Sequence, residues 1–163
     1  MKFRDALQND LPVIVAIYNS TVQGRMVTAD TEPVSVESRQ HWFDEHIPGR
    51  LPLWMVEDEE KNIVGWVSFQ AFYGRPAYDA TAEISIYIDP IERGKGYGKK
   101  ILQYAMEQAP SLGIKTLLGF IFAHNAPSIE LFFKLGFEEW GHLKNIAQID
   151  DKEISVKIVG KRL

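Results

Sequence analysis

IYIDPIERGKGYGKKILQYAM, Ile86 to Met106, decides how this chain is read. A β-like run enters a turn at Asp89 and Pro90, and a helix-like run leaves it. Between them Gly94, Gly96 and Gly98 alternate among the cations Arg93, Lys95, Lys99 and Lys100. A tight strand-to-helix turn accounts for one glycine, not for three interleaved with positive charge. Such a turn exposes backbone N–H groups at the positive end of a helix, which favours an anion such as a phosphate.

The rest of the composition narrows the possible ligand. The chain has 163 residues and a formal net charge of −4, with 45% apolar and 25% charged residues. That is the make-up of one ordinary globular domain spanning 1–163. The acidic balance argues against a nucleic-acid partner, which needs a basic surplus, so a local basic cluster suits a small anion. Absence of cysteine removes disulfides, thiolate metal sites and a cysteine nucleophile. His41 and His46 lie five apart, a spacing that does not stack them on one helical face, so no metal is expected. No apolar run approaches the ~20 residues of a membrane span, and no signal-peptide core opens the chain. A cytoplasmic location without membrane association is therefore expected.

Outward from the glycine turn, AEISIYI precedes it as a strand, and Gly98, Leu102, Ala105 and Ala109 give the following helix its apolar spacing, with Pro110 and Gly113 as its stop. IKTLLGFIF is a nearly continuous apolar strand, as expected when both faces are covered. Asn125 caps a helix over APSIELFFKL that stops at Gly136. FEEWGHLKNIAQI and EISVKIVGKRL form a hairpin turned at Asp150 and Asp151. On the N-terminal side, MKFRDA is a possible short strand, and Asn9 or Asp10 heads a helix over LPVIVAIYNSTVQ. Ser35 heads a second helix over SVESRQHWFDEHI. LPLWMVED and NIVGWVSFQAF pair across an acidic tip. The order predicts a mixed α/β sheet with helices on both faces.

Two familiar phosphate loops fail by register. A nucleotide P-loop and a dinucleotide G-x-G-x-x-G turn, each started at Gly94, both need glycine where Lys99 stands. What fits is Arg93-x-x-Gly96-x-Gly98, which resembles the R/Q-x-x-G-x-G/A signature of the GNAT N-acetyltransferase superfamily. HNAPSIELFFKLGF resembles that family's second cofactor segment. Nearly the whole chain, and RPAYDATAEISIYIDP most closely, is similar to the phosphinothricin and methionine sulfone or sulfoximine acetyltransferase group. The resemblance implies a mixed, mostly antiparallel sheet of about six to seven strands and a homodimer. It implies acetyl-CoA as co-substrate and a small-molecule amine as acceptor.

By the same resemblance the pyrophosphate of acetyl-CoA lies on Arg93, Gly94, Lys95, Gly96, Tyr97, Gly98 and Lys99, and the thioester runs along Ile86, Tyr87 and Ile88. Asn125 and Ser128 flank the pantetheine arm. Lys100 is read as a solvated lysine. An α-ammonium must lose a proton before attack, and Glu83, on the strand before the turn, is the expected base, directly or through a water. Backbone N–H groups near Tyr87 and Ile88 would hold the oxyanion. Arg75 and Tyr78 match residues beside the group's acceptor pocket, where a guanidinium suits a carboxylate. Met26, Val27 and Thr28 are further candidates for that pocket, whereas Trp42, Trp54 and Trp66 read as core. One departure stands out: the family's proton-donating tyrosine corresponds to Phe132. The implied reaction is direct acetyl transfer to the α-amino group of a small amino acid or analogue. The alternatives are another amine, such as a polyamine, an antibiotic or a protein N-terminus, and a non-catalytic acyl-CoA-binding module.

Overall fold

A computed structural model describes residues 1–163. Seven strands form one sheet: β1 (Lys2–Asp5), β2 (Leu53–Glu57), β3 (Ile63–Ala71), β4 (Thr81–Ile88), β5 (Thr116–Phe122), β6 (Glu138–Ile149) and β7 (Lys152–Arg162). Their spatial order is β1-β2-β3-β4-β5-β7-β6, and every neighbouring pair is antiparallel except β4 with β5. The predicted mixed, mostly antiparallel sheet is present, with MKFRDA supplying the seventh strand.

Four helices cover the two faces: α1 (Leu11–Asn19), α2 (Gln40–Asp44), α3 (Tyr97–Gln108) and α4 (Ala126–Lys134). Side-chain alternation along the strands divides the core accordingly. Val56, Val64, Phe69 and Ile84 meet Ile101, Leu102 and Ala105 of α3 and Ile129 and Phe132 of α4 on one face. Leu53, Met55 and Trp66 meet Ile14 and Ile17 of α1 on the other, with Trp42 and Phe43 of α2 packed against them.

Two expected helix starts need correction. Asp10 does not cap α1 with its side chain, because Arg4 holds its carboxylate at 2.7 and 2.9 Å and the Leu7 N–H donates to it at 2.7 Å. The helix expected from Ser35 begins instead with a 3-10 turn, Glu37–Arg39, and α2 covers only five residues. Ser35 still caps, accepting the Ser38 N–H at 3.1 Å.

The parallel pair positions the site. β4 and β5 are bonded only from Thr81–Glu83 to Thr116–Leu118, after which β4 stays with β3 and β5 follows β7 to Phe122. The sheet therefore splits just beyond Glu83.

Candidate active site

The split leaves one edge of β4 without a partner. The Asp89 N–H donates to Val64 of β3 at 2.9 Å, and the β3–β4 register is unbroken from Gly65–Ile88 to Ala71–Ala82. Alternation then turns the backbone groups of Ser85 and Tyr87 toward β3 and those of Ile86 and Ile88 into the gap. Unpaired backbone donors in a half-buried strand call for a partner, and an extended amide-bearing arm can supply one as a surrogate strand. Of the residues expected to supply oxyanion donors, Tyr87 has its N–H turned toward β3, and the N–H groups on the open edge are those of Ile86 and Ile88.

The gap continues into a cleft of about 490 Å³ that ends at the glycine turn. Gly94 and Gly96 have φ of 77° and 80°, the left-handed region that favours glycine, and Gly96 is the N-cap of α3. Gly98 serves differently: an added Cβ would lie 3.2 Å from Leu131 and 3.5 Å from Ile88, so its absence lets α3 approach both α4 and β4. The free N–H groups of the first turn of this 12-residue helix face the cleft end, an anion site by geometry. Arg93 braces the turn, donating to the Ile88 carbonyl at 3.2 Å and to Ser20 at 3.1 Å. On the opposite wall buried Asn125 accepts the Ser128 N–H at 3.2 Å and donates to the Met26 carbonyl at 2.9 Å, tying the cap of α4 to the loop after α1.

A second cavity, about 240 Å³, lies on the α1/α2 face. Its floor is the polar row Ser68 and Gln70 of β3 with Glu83, Ser85 and Tyr87 of β4, in register as Ser68–Ser85 and Gln70–Glu83. Tyr18, Arg39, Trp42 and Trp66 stand on its walls. Ser85 and Tyr87 border both cavities, so the two spaces meet there.

Two ionisable side chains of opposite sign, Glu83 and Arg39, line this cavity. The Glu83 carboxyl makes no hydrogen bond or ion pair, and burial alone pushes its pKa above the ordinary carboxylate value. Arg39 donates through Nη2 to Asp30 at 2.6 Å, and its guanidinium lies 4.5 Å above the Tyr18 ring and 6.0 Å from that of Trp42. Its Nε and Nη1 make no hydrogen bond within the protein, and the residue lines the cavity. Tyr18 donates to Asp30 and bonds Thr28, and burial followed by the Asp30 contact raises its pKa. Burial likewise raises that of Tyr87, whose ring stacks on Trp66 at 4.4 Å. Buried Ser68, 1% exposed, has a hydroxyl without a partner. The arrangement offers a proton acceptor and a fixed cation, joined through a polar floor to the cleft.

Among the residues chosen from sequence, Ile86, Tyr87, Ile88, Arg93, Gly94, Gly96, Tyr97, Gly98, Lys99, Asn125 and Ser128 border the cleft. Lys95 does not; it turns back to Glu92 at 3.0 Å, the short i,i+3 reach that the turn permits. Lys100 lies 5.8 Å over the Tyr97 ring, and Val27 borders the cleft while Thr28 braces Tyr18. Glu83 borders the second cavity, but Arg75 and Tyr78 do not. They sit on the exposed β3–β4 connection, where a 3-10 turn over Pro76–Tyr78 carries them outward and Tyr78 is 44% exposed. Trp42 and Trp66 belong to the core and to the cavity wall at once. Sequence reasoning missed Arg39, Tyr18, Ser68 and Gln70, which join Glu83 only through the β3–β4 register and the packing of distant segments.

Comparison with known proteins gives the family and the fold. Residues 14–137 match the model of the acetyltransferase (GNAT) family. YwnH of Bacillus subtilis (strain 168), named as a candidate phosphinothricin acetyltransferase, is 55% identical over 163 residues, 100% of this chain and 99% of that protein. An L-methionine sulfoximine/L-methionine sulfone acetyltransferase of Pseudomonas aeruginosa is 34% identical over 145 residues, 89% of this chain and 84% of that protein. A crystal structure of a GNAT superfamily phosphinothricin acetyltransferase from Sinorhizobium meliloti, in complex with acetyl-CoA, matches with a TM-score of 0.91 at 29% identity, covering 99% of this chain and 88% of that one.

Proposed function

The chain belongs to the GNAT acetyltransferase family and is an acetyl-CoA-dependent N-acetyltransferase, and we propose that its acceptor is the α-amino group of a small amino acid or analogue of the phosphinothricin or methionine sulfone type. The observation that carries this reading is that Glu83 and Arg39 both line one small cavity that meets the cleft at Ser85 and Tyr87. An α-amino acid presents an ammonium and a carboxylate, opposite in sign to those two side chains. Arg39, with Nε and Nη1 free, takes the carboxylate, the part that sequence reading had given to Arg75.

In this reading acetyl-CoA lies along the open edge of β4, with its pyrophosphate at the turn from Arg93 to Lys99 and its pantetheine arm past Asn125 and Ser128. Glu83 removes a proton from the ammonium, and its raised pKa brings it closer to the task at neutral pH. The amine attacks the thioester carbon directly, and the N–H groups of Ile86 and Ile88 face the oxygen that becomes negative. The chain acts as a homodimer in the cytoplasm. Exposed Tyr73 and Tyr78 on the β3–β4 connection and Trp140 on β6 offer aromatic surface for a second copy, and no helix is long and apolar enough to cross a membrane.

The test compares methionine sulfone with its decarboxylated amine, using thiol release from acetyl-CoA, in the parent and in Arg39→Met. The parent should prefer the amino acid at least about 10-fold, as expected for a charge-assisted pair, and the variant should lose most of that preference. Equal use of both acceptors by the parent would remove the amino-acid reading.

A further inference from the structure

Two hydroxyl-bearing residues, Ser85 and Tyr87, line both cavities. Phe132, on the opposite side of the cleft, is buried against Phe137 and has no proton to share. Tyr87 is held rigidly: its ring is stacked on Trp66 at 4.4 Å and lies 5.2 Å from that of Tyr18. Its hydroxyl bonds nothing in the protein. Because β4 alternates, this side chain shares a face with Glu83, while the backbone of Ile86 and Ile88 faces the gap.

We propose that the Tyr87 hydroxyl donates a hydrogen bond to the coenzyme A sulfur as it leaves. The proposal rests on the acceptor geometry above. After Glu83 takes one amine proton, the N–C bond forms and the carbonyl π pair moves to oxygen. Collapse restores the C=O bond and breaks C–S, the pair departs on sulfur, and the second N–H proton passes to solvent water. Tyr87 shares its proton without surrendering it, since a phenol is a weaker acid than a thiol of pKa ~8.5. Burial, which raises the phenol pKa further, keeps the donor charged with its proton throughout the working range.

Tyr87→Phe keeps the ring and its stacking and removes only the donor. The bound coenzyme A thiol is titrated by its ultraviolet thiolate absorbance in the parent and in this variant, a readout that needs no acceptor. Loss of one hydrogen bond to an anion should raise the bound thiol pKa by about one unit or more. In single turnover with methionine sulfone, the rate should fall about 10- to 100-fold, with acetyl-CoA affinity within about twofold of the parent. An unchanged thiol pKa overturns the proposal, as does a larger effect in Ser85→Ala than in Tyr87→Phe. A parent that acetylates no amino acid would remove the acceptor reading and leave the thiol titration to decide Tyr87.

Discussion

Replacing Glu83 by Gln separates stability from chemistry, because the carboxyl is partly buried and has no hydrogen-bond or ion-pair partner. Burial raises its pKa, so the folded state favours the protonated form. The neutral form therefore contributes stability below the unfolded pKa, and that contribution is lost as pH rises through the folded pKa. At pH 7.5 the ionised group is a burden that a neutral amide of the same shape relieves, by on the order of 1 kcal/mol. For a chain of this length that corresponds to a Tm increase of about 2–4 °C. The gain should shrink as pH falls through the raised folded pKa, where Glu83 in the parent takes up its proton. Activity should move the other way. Loss of the base should lower turnover about 10²- to 10⁴-fold near neutral pH, and the deficit should narrow toward pH 10 as the free amine becomes abundant. Calorimetry at two pH values and a thiol-release profile measure both effects. A lower Tm at pH 7.5, or turnover within fivefold of the parent at pH 7, would refute the assignment.

Other perturbations follow from single contacts. Gly65→Ala would put a Cβ 2.2 Å from the Tyr87 carbonyl oxygen, a backbone atom that cannot turn aside; thermal unfolding should show a loss of about 1–3 kcal/mol, and activity should fall as β4 shifts. Lys99→Ala should weaken acetyl-CoA binding about 2- to 10-fold by calorimetry, more at low salt, whereas Lys95→Ala should leave it unchanged because that cation already faces Glu92. Asp10, whose pKa is lowered chiefly by its hydrogen bonds to Arg4, contributes stability above its unfolded pKa that is lost as pH falls through the folded one. Asp10→Asn should therefore cost on the order of 1–2 kcal/mol at pH 7, measured by denaturant melts, with the difference closing toward pH 3.

Features of this molecule that depend on local backbone demands were legible in its sequence. Gly94 and Gly96 occupy left-handed positions that few other residues tolerate, and Asn125 caps the helix that follows it. Glu83 was singled out by the family resemblance, and strand alternation puts it on one face with Ser85 and Tyr87, beside the second cavity. Features set by how distant segments pack were not. Arg39 lies on a 3-10 turn far from β4 in the chain, and its place on the cavity wall depends on Asp30, Tyr18 and Trp42 together. Arg75 is close to Glu83 in sequence, yet the turn at Pro76–Tyr78 carries it outward. Lys95 sits among the glycines, but Glu92 is within easier reach than the cleft. The split between β4 and β5, which creates the site, follows from which neighbour each strand bonds, and no local pattern records it.

Thiol release from acetyl-CoA by the parent protein, across a panel of amines, tests the central claim most directly. Methionine sulfone, methionine sulfoximine and phosphinothricin should be turned over well above a polyamine, an aminoglycoside and a peptide N-terminus, with mass spectrometry placing the acetyl group on the α-nitrogen. Preferential turnover of the polyamine, the aminoglycoside or the peptide would contradict the account.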